Sequence, residues 1–158
     1  MDPWLFLWLV GRNLFLTATR PDFIRFGGMK QHPRNAILIV DDEPFVRLEL
    51  SDMVRDMGFE PYEAANTAEA LAIIQSAPGT FIALVTDIWM PGTRNGIVLA
   101  NHVKHTWPDI RVIVMSAGRK PVVGELPYGT PFVAKPYSAP VMSGVILGEA
   151  AGPNTQHS

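Results

Sequence analysis

The stretch "AILIVDDEP" at residues 36–44 joins an apolar run directly to three acids and a proline. Residues 36–40 are continuously apolar and rich in β-branched side chains, which is typical of a strand buried on both faces of a parallel sheet. Asp41, Asp42 and Glu43 follow at once, and carboxylates this close repel one another. We therefore expect a positive charge to be shared among these acids.

Beyond this stretch, helical and strand patterns alternate along the chain. The patterns predict further strands at 60–65, 81–87, 110–117 and 131–135, and helices at 44–58, 68–77, 97–105 and 138–151. The apolar stripe of the first helix is predicted to comprise Phe45, Leu48, Met53 and Met57. This alternation favours an α/β fold, a doubly wound, five-stranded parallel sheet of the flavodoxin-like order 2-1-3-4-5.

Polar side chains follow four of the five predicted strands. They are Asp41 and Asp42 after the first strand, Asp87 after the third, Ser116 after the fourth and Lys135 after the fifth. In such a sheet the carboxyl ends of the strands meet at one edge, where ligands bind. Taken singly, each residue is more often an ordinary turn, helix cap or surface charge, but their common edge predicts a site.

The residue types at that edge suit phosphoryl transfer. Carboxylate, carbonyl and water oxygens are the ligands that Mg²⁺ prefers, so the acids predict a magnesium site. Asp87 can act as a nucleophile toward phosphorus, and Lys135 supplies a second positive charge. Phosphoryl transfer needs mainly positioning and charge neutralisation, which a metal and a lysine provide together.

The motifs "ILIVDDEP", "LVTDIWMPGTRNG", "VIVMSA" and "FVAKPY" resemble the receiver domain of two-component response regulators, over about residues 35–150. The resemblance implies that Asp87 is the phosphoacceptor and that Asp42 and Asp87 bind Mg²⁺ directly, with Asp41 supporting them. It also implies that the backbone carbonyl of Trp89 is a further metal ligand.

The same resemblance assigns roles to the later strands. Ser116 matches the switch hydroxyl, Lys135 matches the site lysine, and Phe132 matches the aromatic switch position. The implied phosphoryl donor is a histidine kinase or a histidine phosphotransfer protein, and the implied output is contact with a further protein. Catalysis would be limited to self-phosphorylation and autodephosphorylation, so we expect no enzyme acting on outside substrates.

The segment "AGRKPVVGELPYGTPFVA" at 117–134 departs from the family pattern. A typical receiver has a full helix between the fourth and fifth strands, but this segment is interrupted by Pro121, Gly124, Pro127, Gly129 and Pro131. Proline inside a helix costs about 3 kcal/mol. We expect at most a short turn around 121–126, and therefore an unusual output face.

Length and composition exclude several function classes. The chain has 158 residues, a net charge of −2 and no cysteine, so disulfides, zinc–thiolate sites and cysteine nucleophiles are excluded. The sequence contains no run of basic residues that would indicate nucleic-acid binding. The apolar segment "WLFLWLV" at 4–10 is far shorter than the roughly 20 residues of a membrane span.

We expect an N-terminal appendage at 1–34, a receiver at 35–150 and a flexible tail at 151–158. The tail is too short for a DNA-binding domain, so a stand-alone receiver is predicted, in the cytoplasm and as a monomer or weak dimer.

Three other functions fit parts of the pattern. An aspartyl phosphatase of the haloacid-dehalogenase type would need a second acid two residues after Asp87, where this chain has Trp89. A flavin-binding protein would need a phosphate-binding loop after the first strand, and none is present. A receiver-like interaction module that acts without phosphorylation stays open, because of the altered 117–134 segment.

Overall fold

A computed structural model describes residues 34–90, 96–118 and 120–149. Within these residues the elements are, in chain order, β1 (Ala36–Val40), α1 (Pro44–Asp56), β2 (Glu60–Ala64), α2 (Thr67–Ser76), β3 (Phe81–Asp87), α3 (Gly96–Thr106), β4 (Arg111–Ser116), β5 (Phe132–Ala134) and α4 (Ala139–Leu147). Every predicted strand and helix is present, with ends that differ by a few residues.

The five strands form one parallel sheet in the order β2-β1-β3-β4-β5, as predicted. Alternate residues of each central strand point to opposite faces of the sheet. One face is covered by α2 and α3, and the other by α1 and α4. Since both faces are buried, β1 is fully apolar, and its five residues are at most 1% exposed.

The predicted apolar stripe of α1 is wrong at two positions. Phe45 is 85% exposed and Leu48 is 53% exposed, whereas Leu50, Ser51 and Val54 are buried. At 100° per residue, Phe45 and Leu48 lie about 140–160° around the helix from Leu50. The face that meets the sheet is therefore the one with Leu50 and Val54, and it includes a buried serine.

The last helix is also shorter than predicted. It ends at Leu147 rather than at 151, because Gly148 adopts φ +80°, the left-handed conformation that commonly terminates helices. At the start of α2, the Asn66 side chain accepts a hydrogen bond from the Glu69 N–H at 2.9 Å. This N-cap satisfies one of the free N–H groups at the start of the helix.

No helix forms among the described residues between β4 and β5, as the prolines and glycines predicted. The segment makes turns instead, and the Asn101 side chain of α3 holds it by donating to the Glu125 carbonyl at 2.7 Å. Leu126 packs partly against the core on the same face.

Most of the predicted appendage at 1–34 and all of the tail at 151–158 lie outside the described residues. Arg34 is described, and its exposed side chain pairs with Asp109 at 3.2 Å. The proposed domain bounds remain predictions. In the described part of the chain, no helix has the length and apolar character needed to cross a membrane.

Candidate functional site

Three carboxylates meet at the carboxyl edge of the sheet. Asp41 and Asp42 follow β1 and Asp87 ends β3, and each offers a ligand oxygen within 4.8 Å of those of the other two. Asp41 and Asp87 are buried, whereas Asp42 is exposed. The sheet order places β1 and β3 side by side, so the predicted cluster forms as expected.

Lys135 supplies the positive charge nearest to these acids in the described structure. Its Nζ donates to Asp41 Oδ2 at 2.7 Å and lies 3.4 Å from Asp87 Oδ2. Burial alone lowers the pKa of Lys135, but the hydrogen bond and charge of Asp41, with a further contribution from Asp87, raise the pKa above its ordinary value. Lys135, the residue directly after β5, is therefore a firmly protonated ammonium group that lies between the carboxylates of Asp41 and Asp87.

The carboxyl group of Asp87 is only partly satisfied. Its Oδ1 is buried and has no hydrogen-bond partner among the described residues. Burial raises the pKa of Asp87, Lys135 lowers it, and the Asp41 charge raises it further, with a net upward shift. A buried oxygen without a partner, beside two more carboxylates, fits a hard divalent cation.

The backbone around Asp87 is held from two sides. The Thr86 hydroxyl donates to the Asp87 carbonyl at 3.1 Å, and the Ile88 N–H donates to the Met115 carbonyl of β4 at 3.0 Å. The Gly96 N–H, at the start of α3, donates to the Ile88 carbonyl at 3.1 Å. A Cβ atom at residue 96 would overlap the Asp87 carbonyl oxygen, so only glycine fits there.

Ser116 lies buried at the end of β4, and Lys135 is tied to it through the backbone. The Lys135 N–H donates to the Ser116 carbonyl at 2.8 Å, and the Ser116 hydroxyl accepts from the Gly118 N–H at 3.0 Å. The Trp89 side chain is half exposed, and its indole ring lies over Gly118. A Cβ atom added at residue 118 would lie 3.2 Å from the indole Nε1. The predicted roles of the Trp89 carbonyl and of Ser116 remain predictions.

Phe132 is the first residue of β5, and its side chain is partly buried. It pairs with Val114 of β4 and packs against the core. This environment is compatible with an ordinary core residue and with the predicted switch role, which stays a prediction.

The sequence patterns did not reveal a polar group behind Asp41. Arg47 of α1 donates to the Asp41 carbonyl at 2.8 Å and pairs with Glu63 of β2. Buried Ser51 donates to Glu63 at 2.7 Å. The four-residue spacing of Arg47 and Ser51 on one helix was the available signal.

A model of the response regulator receiver domain matches residues 37–140 of this chain. The chain belongs to this family. The receiver is 37% identical over 81 residues to a putative NtrX-like response regulator of Rickettsia conorii, covering 51% of this chain and 17% of that protein. It is 35% identical over 81 residues to sporulation initiation phosphotransferase F of Bacillus subtilis, covering 51% of this chain and 63% of that protein.

Solved receivers share the fold. The response regulator TrrA of Thermotoga maritima, in complex with Mg²⁺ and BeF, matches with a TM-score of 0.63 and 25% identity, covering 73% of this chain and 98% of that one. The receiver spans less than a fifth of the length of the NtrX-like relatives. Receiver domains are signalling modules of two-component systems.

Proposed function

We propose that this receiver accepts a phosphoryl group on Asp87 from a histidine kinase or a histidine phosphotransfer protein, with Mg²⁺ bound, and signals by protein contact. The observation that carries the proposal is the surroundings of Asp87. Its carboxylate ends a central strand, adjoins Asp41 and Asp42, lies 3.4 Å from Lys135 Nζ, and keeps one buried oxygen without a partner in the described structure.

In the proposed reaction, an Asp87 carboxylate oxygen attacks phosphorus. A P–O bond forms to Asp87 as the P–N bond of the donor phosphohistidine breaks, and the electron pair of that bond returns to the imidazole. Lys135 holds positive charge beside the carboxylate and stabilises the incoming phosphoryl oxygens. Asp42, Asp87 and the Trp89 carbonyl would hold Mg²⁺ with support from Asp41, and the metal would neutralise charge on the phosphoryl group.

The signal would leave through the fourth and fifth strands. In this proposal the Ser116 hydroxyl turns to donate to a phosphoryl oxygen, the 117–131 segment rearranges, and Phe132 repacks. The downstream protein would bind that segment. The receiver would act in the cytoplasm as a monomer or weak dimer.

The direct test is phosphorylation by a small donor. Purified protein is incubated with acetyl phosphate and Mg²⁺ and weighed by intact mass spectrometry, with Asp87→Asn and the exposed Asp52→Asn as matched variants. We expect one phosphoryl adduct on wild type and on Asp52→Asn, and none on Asp87→Asn or with EDTA.

Rapid hydrolysis could hide the adduct, so beryllofluoride serves as a stable phosphoryl analogue. Binding would be followed by tryptophan fluorescence, because Trp89 lies beside the site. A silent response to both reagents contradicts the proposal.

The silent result would favour a receiver-like interaction module that acts without phosphorylation. The irregular 117–131 segment is the observation on its side, because a surface without the usual helix would present different contacts. Partner binding would then be the same for wild type and Asp87→Asn.

A further inference from the structure

Asp41 is held by more than its own side-chain contacts. Both oxygens of its carboxylate accept a hydrogen bond: Oδ2 accepts from Lys135 at 2.7 Å, and Oδ1 accepts from the Glu43 N–H at 2.9 Å. Its backbone N–H donates to the Ala64 carbonyl of β2 at 3.2 Å. The backbone carbonyl is the remaining polar group, and Arg47 Nη1 donates to it at 2.8 Å.

Arg47 is itself oriented by β2. Its Nε lies 3.4 Å from Glu63 Oε2, and its side chain is 16% exposed. Glu63 lies opposite Ile39 in the β1–β2 register, one residue before Ala64. The buried Ser51 hydroxyl donates to Glu63 Oε1 at 2.7 Å and holds the carboxylate toward Arg47. The chain of contacts runs from Ser51 through Glu63 and Arg47 to Asp41.

Charge gives Glu63 a second effect on the same site. A guanidinium bonded to the Asp41 backbone adds positive charge behind the acids, which opposes a divalent cation. The Glu63 carboxylate beside Arg47 offsets that charge. Arg47 can thus hold Asp41 in place without weakening the attraction of Asp41, Asp42 and Asp87 for a cation.

We infer that Arg47 and Glu63 are positioning residues for the metal site, with Glu63 acting through Arg47 and Ser51 anchoring Glu63. This inference rests on the proposed function, since it concerns the same cation. Groups that orient metal ligands typically change metal affinity 10- to 100-fold when removed. Glu63 lies one contact further from the cation, so we expect Glu63→Gln to weaken Mg²⁺ binding about three- to tenfold.

Isothermal titration of the full chain with MgCl₂ tests this directly. The matched control is Asp52→Asn. Asp52 pairs with Arg55 at 2.8 Å on the exposed face of α1, the helix that carries Arg47 and Ser51. We expect the Mg²⁺ Kd of Asp52→Asn to equal that of wild type. The double variant Arg47→Gln/Glu63→Gln should bind Mg²⁺ nearly as Arg47→Gln does, because the main effect of Glu63 on the site passes through Arg47.

Phosphorylation by acetyl phosphate separates positioning from a general loss of structure. For Glu63→Gln, we expect the Mg²⁺ concentration at half-maximal rate to rise while the rate at saturating Mg²⁺ stays at the wild-type value. The inference is overturned if Glu63→Gln binds Mg²⁺ within twofold of Asp52→Asn, or if it only lowers the melting temperature in EDTA. Additive effects of the two substitutions overturn the coupling through Arg47.

Wild type serves to separate this inference from the proposed function. If wild type binds Mg²⁺ and gains a phosphoryl group while Glu63→Gln behaves identically, only the inference fails. If wild type neither binds Mg²⁺ nor gains a phosphoryl group, both fail together.

Discussion

Asp87 combines a buried carboxyl group with a neighbouring carboxylate. Burial, and then the Asp41 charge, raise the pKa of Asp87 despite Lys135. A carboxyl group whose pKa is raised by folding contributes stability fully below its unfolded pKa of about 3.9, and this contribution is lost as the pH rises through the folded pKa. Ionisation of Asp87 in the metal-free protein therefore opposes folding.

We expect Asp87→Asn to raise the melting temperature in EDTA at pH 7.5, because it removes that charge. The gain should shrink as the pH falls, since wild-type Asp87 then becomes neutral too. Differential scanning fluorimetry from pH 7.5 down to about pH 4, near the unfolded pKa, measures it. Asp52→Asn is the control, since the Asp52 carboxylate is exposed to solvent. A lower melting temperature for Asp87→Asn in EDTA would contradict this reading of the site.

The helix α3 fixes the backbone of Asp87 through its first residue, Gly96. A Cβ at residue 96 would overlap the Asp87 carbonyl oxygen. Forcing extra atoms into a packed contact typically costs about 1–3 kcal/mol. We expect Gly96→Ala to lower the free energy of unfolding by about 2 kcal/mol and to reduce phosphorylation by acetyl phosphate, because Asp87 must move. Urea unfolding and intact mass measure the two effects.

Gly144 in α4 provides the matched control at this scale. A Cβ there would lie 3.5 Å from the Glu149 side chain, an ordinary contact. Gly144→Ala should therefore stabilise the protein by about 0.5–1 kcal/mol, as expected in a helix interior. Equal effects of the two substitutions would show that the close approach at residue 96 does not constrain the site.

For the molecule as a whole, we expect Mg²⁺ binding to stabilise the native state. A ligand at a hundredfold excess over its Kd adds about 2.7 kcal/mol, which corresponds to a rise in melting temperature on the order of 5–10 °C. Asp87→Asn should lose most of this rise, because it removes one carboxylate of the cluster. Melting curves in MgCl₂ and in EDTA measure the rise. Identical wild-type curves in the two buffers would exclude a magnesium site of this affinity.

Much of the architecture of the whole molecule was predictable from the order of its residues. The alternating strand and helix patterns predicted the sheet order. The polar residues that follow the apolar runs predicted that Asp41, Asp42, Asp87 and Lys135 lie at one edge of the sheet. These features depend on local patterns and on the rule that parallel strands end at one edge. The absence of a helix among the described residues between β4 and β5 followed equally from the prolines and glycines there.

Other features depended on how the elements pack. The exposure of Phe45 and Leu48, and the chain of contacts from Ser51 through Glu63 to Arg47, follow from the rotation of α1 against the sheet. The chain of contacts also depends on the β1–β2 register, which places Glu63 opposite Ile39. Sequence order therefore specified the elements and the acids at their ends. The supporting contacts formed only in the folded molecule, because they join side chains from elements whose relative orientation no local pattern encodes.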